Sequence, residues 1–401
     1  MKTSLWVDRR NQVSGPGLHA LIIGVSDYQF LPGSNEFPPA GSITFGLTKV
    51  NIPATGAFRV ARWLKECYWH PTTKLKSIRL LLSPSKEELV QLEFPELAEA
   101  SATQPRANTA EVWQALQDWQ KDCAGNPGDI AVLYVAGHGI QWGSKDDAYV
   151  LLEDFSKDQL FLNQAIDVGR VLKGMSGDQM PQAQFYFVDA CRIQPDEHSK
   201  FEDAGTPLRL RSQFNGEDLR SAPIYYAACP QTAAKGHRGR GTYFAEALID
   251  CLDLYARQGP NKNSGLPITR NYWHVSVNSL LATLQDRISE VARPDGVKQD
   301  VMIGGLVRPS VFCASESPPD VTVVVHVDPE SAAQVAFAEL WSSNRSSQIK
   351  QRSPCWSRPL KLEKVPVGIY LLELSASPPY KGRTIAVDAQ PPQWNQPIIL
   401  S

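Results

Sequence analysis

The segment QFYFVDACR, residues 184–192, ends an apolar run with an acid, a thiol and a guanidinium. Phe185, Tyr186, Phe187 and Val188 read as a buried strand, and a core strand has no structural need for Asp189, Cys191 and Arg192 at its tip. A second apolar run, AVLYVAGHG, ends at His138 between Gly137 and Gly139, and His138 precedes Cys191 by 53 residues. An imidazole near a thiol promotes thiolate formation and can later protonate a leaving amine. The glycines remove side-chain bulk, and the N–H groups of Gly139 and Cys191 could hold the oxyanion of a tetrahedral intermediate. Taken singly, a cysteine at a strand end is usually inert and a histidine in a Gly turn is usually a loop residue. Only the pair points to acyl-bond hydrolysis.

The elements that must present this pair are strands alternating with helices. HALIIGV (19–25), SIRLLLS (77–83), DIAVLYVAGHG (129–139), AQFYFVDACR (183–192) and APIYYAACP (222–230) read as buried strands, and KQDVMIGG as a short final one. Helices are expected over TGAFRVARWLKECYW, NTAEVWQALQDWQKDCAG, NQAIDVGRVLKGM (163–175), GTYFAEALIDCLDLYARQG and SVNSLLATLQDRISEVA. The fold class is α/β, a mostly parallel sheet sandwiched by helices. Ligands in such folds bind beyond the C-terminal ends of the strands, which puts the tips AGHG and DACR on one rim. Past SESPPD the texture changes to short strands broken by Pro, Gly and Ser, read as a small all-β sandwich. The expected division is 1–314 for the first domain and 320–401 for the second, an accessory or interaction domain.

Composition narrows the function classes. The 401 residues are 42% hydrophobic and 20% charged, with a net charge of −2. Nothing there favours nucleic acid or an anionic membrane as partner. No stretch approaches a membrane span of about 18 apolar residues, and the start lacks a signal-peptide core. The seven cysteines are scattered without a C-x-x-C pair, so a cytoplasmic protein is expected, free of disulfides and structural zinc. Cys67, Cys123 and Cys251 lie on expected helices and read as core. GVSDY has Tyr28 where a G-x-S-x-G elbow needs glycine, which disfavours a serine hydrolase.

VLYVAGHG, FYFVDAC, the opening ALIIGVSDYQFLP and the later IYYAACPQTAAKG…GTYFAEAL occur in an order that resembles the caspase-like cysteine peptidases, nearer prokaryotic metacaspase-like members than animal caspases. The His-to-Cys spacing is close to the roughly 50 residues of caspases. The resemblance spans about residues 18 to 306 and departs at RIQ after Cys191 and in the long Gly/Pro-rich 28–58 region. It implies a His138/Cys191 dyad in a cysteine endopeptidase acting on protein substrates, in prokaryotic defence or cell-death signalling.

Alternation along the strand puts Asp189 on the side of Cys191, where a carboxylate suits a cationic substrate side chain. In metacaspase-like enzymes an Asp there lines the pocket for Arg or Lys, and by the same resemblance Asp27 is a second wall. Arginine is expected over lysine, because a carboxylate binds guanidinium bidentately. The polar 193–223 segment resembles a zymogen loop cut by the enzyme itself or an upstream protease, with Arg209, Arg211 and Arg220 as candidate sites; the alternative is an uncut surface loop. No metal or cofactor is required, although metacaspases often use calcium and Asp146, Asp147, Glu153 and Asp154 are hard oxygen donors after the His motif. The competing reading is a catalytically silent caspase-like scaffold, or a binding module acting through the C-terminal β-domain.

Overall fold

The computed structural model describes residues 2–34, 43–91, 93–142, 148–195, 204–211, 217–230, 232–237, 240–261, 266–355, 359–391 and 393–400. The chain divides into two compact units, Met1–Ile249 with Ser276–Ala314, and Asp250–Val275 with Ser315–Ser401.

The first unit carries, in chain order, β1 (Leu5–Asp8), β2 (Gly17–Val25), α1 (Pro53–Glu66), β3 (Lys74–Ser83), α2 (Lys86–Leu89), α3 (Glu96–Thr103), α4 (Thr109–Cys123), β4 (Ile130–Gly137), β5 (Gly139–Gln141), β6 (Ala148–Leu151), β7 (Ala165–Asp167), α5 (Val168–Gly174), β8 (Ala183–Ala190) and β9 (Ala222–Tyr226). The short β10 (Gly236–His237) and β11 (Gly241–Thr242), α6 (Tyr243–Asp250), α7 (Val277–Ala292), β13 (Met302–Leu306) and β14 (Val311–Ser315) follow. Its main sheet runs β1-β3-β2-β4-β8-β9-β13. The five inner strands are parallel and the two edges antiparallel. β2 and β4 are buried at every position, as expected of strands covered on both faces. Gly24 lets α1 lie close on β2, since a Cβ there would stand 2.8 Å from the Ala54 Cα.

The strand order fixes where a site can form. From β2 the chain steps to β3 on one side and then returns to β4 on the other. The strand order therefore reverses between β2 and β4, and the crevice of a doubly wound sheet opens at such a point. Asp27 and Tyr28 follow β2, His138 follows β4, and Cys191 follows β8.

Two helices are shorter than their sequences predict. Over 163–175 the helix begins only at Val168, capped by Asp167, whose side chain accepts from the Arg170 N–H. Residues 165–167 instead form β7, which pairs antiparallel with β6, and on its other side the Asp167 N–H donates to the Leu208 carbonyl and the Leu208 N–H to that of Ala165. The pattern over 241–259 yields α6 and then a π-helical turn, Cys251–Tyr255. Cys123 and Cys251 are buried as expected, whereas Cys67 caps the end of α1 and is exposed.

The second unit contains β12 (Trp273–Ser276), which begins in its Asp250–Val275 segment, and then β15 (Asp320–Asp328), β16 (Ala336–Ser342), β17 (Gln348–Arg352), β18 (Leu360–Pro366), β19 (Gly368–Ala376), β20 (Arg383–Ala389) and β21 (Gln393–Ile399). Sheets β18-β15-β21 and β17-β16-β19-β20 enclose one apolar core that includes Val323, Val325, Leu340, Leu372 and Val387. The alternating burial of β15 and β16 is the period-two pattern expected there. The α/β sheet with helices and the all-β C-terminal region are both present. Among the described residues, no helix is long and apolar enough to cross a membrane.

Candidate active site

Parallel pairing of β4 with β8 sets Gly137 opposite Ala190, so His138 and Cys191 leave adjacent strand ends together. The pairing continues past the sheet, where Ile140 bridges Ile193. Gly139 permits this closeness. A Cβ at that position would stand 2.3 Å from the Cys191 carbonyl oxygen and 2.8 Å from the Ala190 Cβ. Both obstacles belong to backbone or a rigid methyl, so Gly139→Ala must part the two tips. We expect it to cost roughly 1–3 kcal/mol in denaturant unfolding and to impair peptide cleavage disproportionately.

The half-buried imidazole of His138 is fixed from three sides. Its Nε2 donates to the Thr48 carbonyl at 2.6 Å, its backbone N–H donates to the Tyr28 hydroxyl at 2.7 Å, and its ring lies 4.9 Å from the Tyr28 ring. A carbonyl can only accept, so Nε2 carries the proton and the neutral ring keeps its basic lone pair on Nδ1. Burial lowers the His138 pKa against the raising effect of that hydrogen bond. The Cys191 thiol is raised, first by burial and also by Asp189, against lowering hydrogen bonds that include the Ala234 N–H. Its Sγ lies 3.3 Å from the Ala234 nitrogen and 3.7 Å from the Ala234 oxygen. Both shifts favour the uncharged forms. The resting pair is thiol and imidazole, suited to general-base activation when substrate binds.

Asp189 is 2% exposed. Its Oδ2 accepts from the Tyr134 hydroxyl at 2.5 Å and from the Thr242 hydroxyl. Among the described residues its buried Oδ1 has no hydrogen-bond partner. Burial raises its pKa to about 6 despite both hydroxyls.

Asp27, expected as a second pocket wall, is engaged within the chain. Its Oδ1 lies 2.6 Å from Lys49 Nζ and its Oδ2 2.8 Å from Arg106 Nη2, so both oxygens already face cations of the chain. These partners are distant in sequence, which is why SDY reads locally as an available acid. Of the four acidic residues after the His motif, the two described ones are engaged within the chain. Glu153 is bound by Arg106, Ser83 and Gln29, and Asp154 caps α4 by accepting from Thr109. Asp146 and Asp147 lie outside the described residues. Among the described residues, no three His, Cys, Asp or Glu side chains form a group able to hold a metal.

The 193–223 segment is described in part and held where it is described. Leu208 bridges Ile166, and Ser221 bridges Ala183. Arg209 and Arg211 are exposed. Arg220 is 2% exposed and bonded to Asp218, Gln184 and the carbonyls of Leu172 and Met175, so it ties the segment to the core. A protease would have to unfold this anchor before cutting after it.

A second constellation lies at the other end of the sheet. His19 Nδ1 is 2.7 Å from Ser77 Oγ, and its Nε2 is 3.4 Å from Asp129 Oδ2. The residue types and order of contact are those of a hydrolase triad, yet Ser77 is fully buried and nothing could reach it. This cluster pins strand starts together.

A profile of the caspase domain matches residues 64–303, spanning both His138 and Cys191. The chain belongs to the caspase-domain family. Among solved structures it is similar to caspase-1 of Spodoptera frugiperda, at 12% identity over 77% of this chain and 94% of that one, with a TM-score of 0.41. A Geobacter sulfurreducens protein matches at 14% identity over 74% and 95%, also at 0.41. No curated protein matches the chain. At the level of the family, a caspase domain means a cysteine-peptidase fold. Three of this caspase domain's contacts escaped sequence reading. The Thr48 carbonyl has no residue-type signature at all, while Tyr28 and Tyr134 look like core aromatics.

Proposed function

We propose that the protein is a cysteine endopeptidase that cleaves protein substrates after basic residues, arginine before lysine. The observation that carries the specificity is the Oδ1 of Asp189, a buried carboxylate oxygen with no donor among the described residues. An unsatisfied buried acceptor costs about 1–3 kcal/mol, and an entering guanidinium removes that cost with charge-assisted hydrogen bonds. In the reaction His138 Nδ1 takes the thiol proton as Cys191 Sγ attacks the carbonyl carbon. The imidazolium returns the proton to the leaving amine, and water attacks the thioester through the same base. The adjacent backbones of Gly139 and Cys191 support the oxyanion role of their N–H groups.

Ala234 stands against the thiol, so acylation requires that segment to give way. That contact supports a zymogen reading, with a cut in the 193–223 loop by the enzyme or an upstream protease; exposure favours Arg209 and Arg211 over Arg220. A role in prokaryotic defence or cell-death signalling rests on the family resemblance alone.

The test uses fluorogenic peptides ending in Arg, Lys or Asp, with the intact protein and with protein nicked in the 193–223 loop. Arginine cleavage that disappears in Cys191→Ala is the expected result. Cleavage after Asp would retain the nucleophile and remove the Asp189 pocket. Silence with every peptide in both forms would replace the enzyme by a caspase-like scaffold.

A further inference from the structure

We propose that Lys49, Asp27, Arg106 and Glu153 form an ionic relay that holds the Thr48 carbonyl against His138, making Asp27 a positioning residue for the base. The inference rests on the peptidase reading for its kinetic consequences and on geometry for its structural ones.

Thr48 lies in residues 43–52, which form no strand or helix, so among the described residues no ladder of backbone hydrogen bonds fixes its carbonyl. The next residue supplies the fixing. Lys49 Nζ meets Asp27 Oδ1 at 2.6 Å, Asp27 Oδ2 meets Arg106 Nη2 at 2.8 Å, and Arg106 Nε meets Glu153 Oε1 at 2.5 Å. Charges alternate along this row of four. Its inner end is fully buried, with Glu153 Oε2 accepting from Ser83 Oγ at 2.7 Å and Oε1 from Gln29 Nε2 at 2.8 Å. The Asp27 backbone is also tied down, since its N–H donates to the Ser83 carbonyl, and the Val50 N–H donates to that of Ser26.

His138 is anchored to the same place by another route. Its carbonyl accepts from the Leu151 N–H, and the Tyr28 hydroxyl that receives its own N–H donates to the Leu151 carbonyl at 3.4 Å. Both partners of the Thr48–His138 hydrogen bond therefore trace back to residues 151–153. An isolated exposed ion pair contributes little to stability, but a row rooted in a buried carboxylate restricts where its outer lysine can stand. Displacing a catalytic contact by about 1 Å can cost a hundredfold in rate.

The experiment compares Asp27→Asn, Lys49→Met and the double variant. With Arg and Lys peptides, each single variant is expected to lower kcat about ten- to a hundredfold for both substrates, leaving KM unchanged. The double variant should be no slower than the worse single one, because both act through one contact. In parallel, 15N-imidazole NMR is recorded in a Cys191→Ala background. It should show His138 as a single Nε2–H tautomer, becoming a mixture when Asp27 or Lys49 is changed. A raised KM for Arg peptides with kcat intact in Asp27→Asn, and an unaffected Lys49→Met, would return Asp27 to the substrate pocket. An unchanged tautomer in both variants would also overturn the relay. Lys49→Met removes no buried group, which keeps the test open if Asp27→Asn fails to fold. If no peptide is cleaved by any form, the peptidase reading fails and the NMR still decides the relay.

Discussion

Asp189→Asn is expected to lose cleavage after arginine by about a thousandfold or more in kcat/KM, while making the protein more stable at neutral pH. The two effects share one cause. A carboxylate without enough donors has been carried into the core, and burial raises its pKa from 3.8 to about 6. In the unfolded chain it ionises near the lower value, so folding is penalised as pH rises through that interval, and the full penalty stands above about pH 6. A shift of this size corresponds to about 3 kcal/mol. Asparagine keeps an acceptor for Tyr134 and Thr242 but puts an unpaired N–H pair where Oδ1 stood, so a net gain of about 1–2 kcal/mol is expected. Denaturant melts of both proteins at pH 5 and pH 8 check this, with the difference shrinking at the lower pH. Peptide assays check the other half. Arginine cleavage by the unmodified enzyme should fall as pH drops through about 6, when protonation removes the charge that grips the guanidinium. Peptides neutral at that position should not show this loss. Equal stability of the two proteins at pH 8 would mean that Asp189 is satisfied in the resting state, contrary to the orphaned oxygen.

His138→Ala is expected to lower kcat about 10³- to 10⁴-fold, and joining it to Cys191→Ala should cost little beyond the worse single change. The non-additivity follows from the resting charges. With the thiol raised and the imidazole lowered, neither residue is primed alone, and attack needs the base to take the proton as the bond forms. For peptides neutral at the cleavage position, the acid limb of kcat/KM should then lie below the ordinary histidine range and vanish in His138→Ala. Single-turnover assays across pH 4.5–8 would measure this. A limb unchanged by the substitution would assign the general base elsewhere.

The sheet was readable because its strands are buried on both faces. HALIIGV, AVLYVAG and QFYFV admit little but central parallel strands, and their order places His138 beside Cys191. The limits of that reading have physical causes. β7 occupies three residues of an expected helix because β6 and residue 208, the latter more than forty positions on, supply backbone partners. Asp27 looked like an open acid because Lys49 and Arg106, which hold it, lie 22 and 79 residues away in the chain. Thr48 acts through its carbonyl, which every residue possesses, and no choice of side chain announces it. Asp189 was legible as an acid two residues before Cys191, but the lack of a donor to its Oδ1 among the described residues is a property of the packed state.

The Ala234 contact makes Cys191 a gauge. A thiol that is protonated, half-covered and bracketed by a backbone amide and carbonyl reacts slowly with peroxide or alkylating agents, since the thiolate is the reactive species. The sulfur is thus shielded from oxidation while Ala234 stands against it. If the proposed activation releases that segment, the sulfur is uncovered, and its rate of alkylation would report how much of a sample has been released, with no substrate needed.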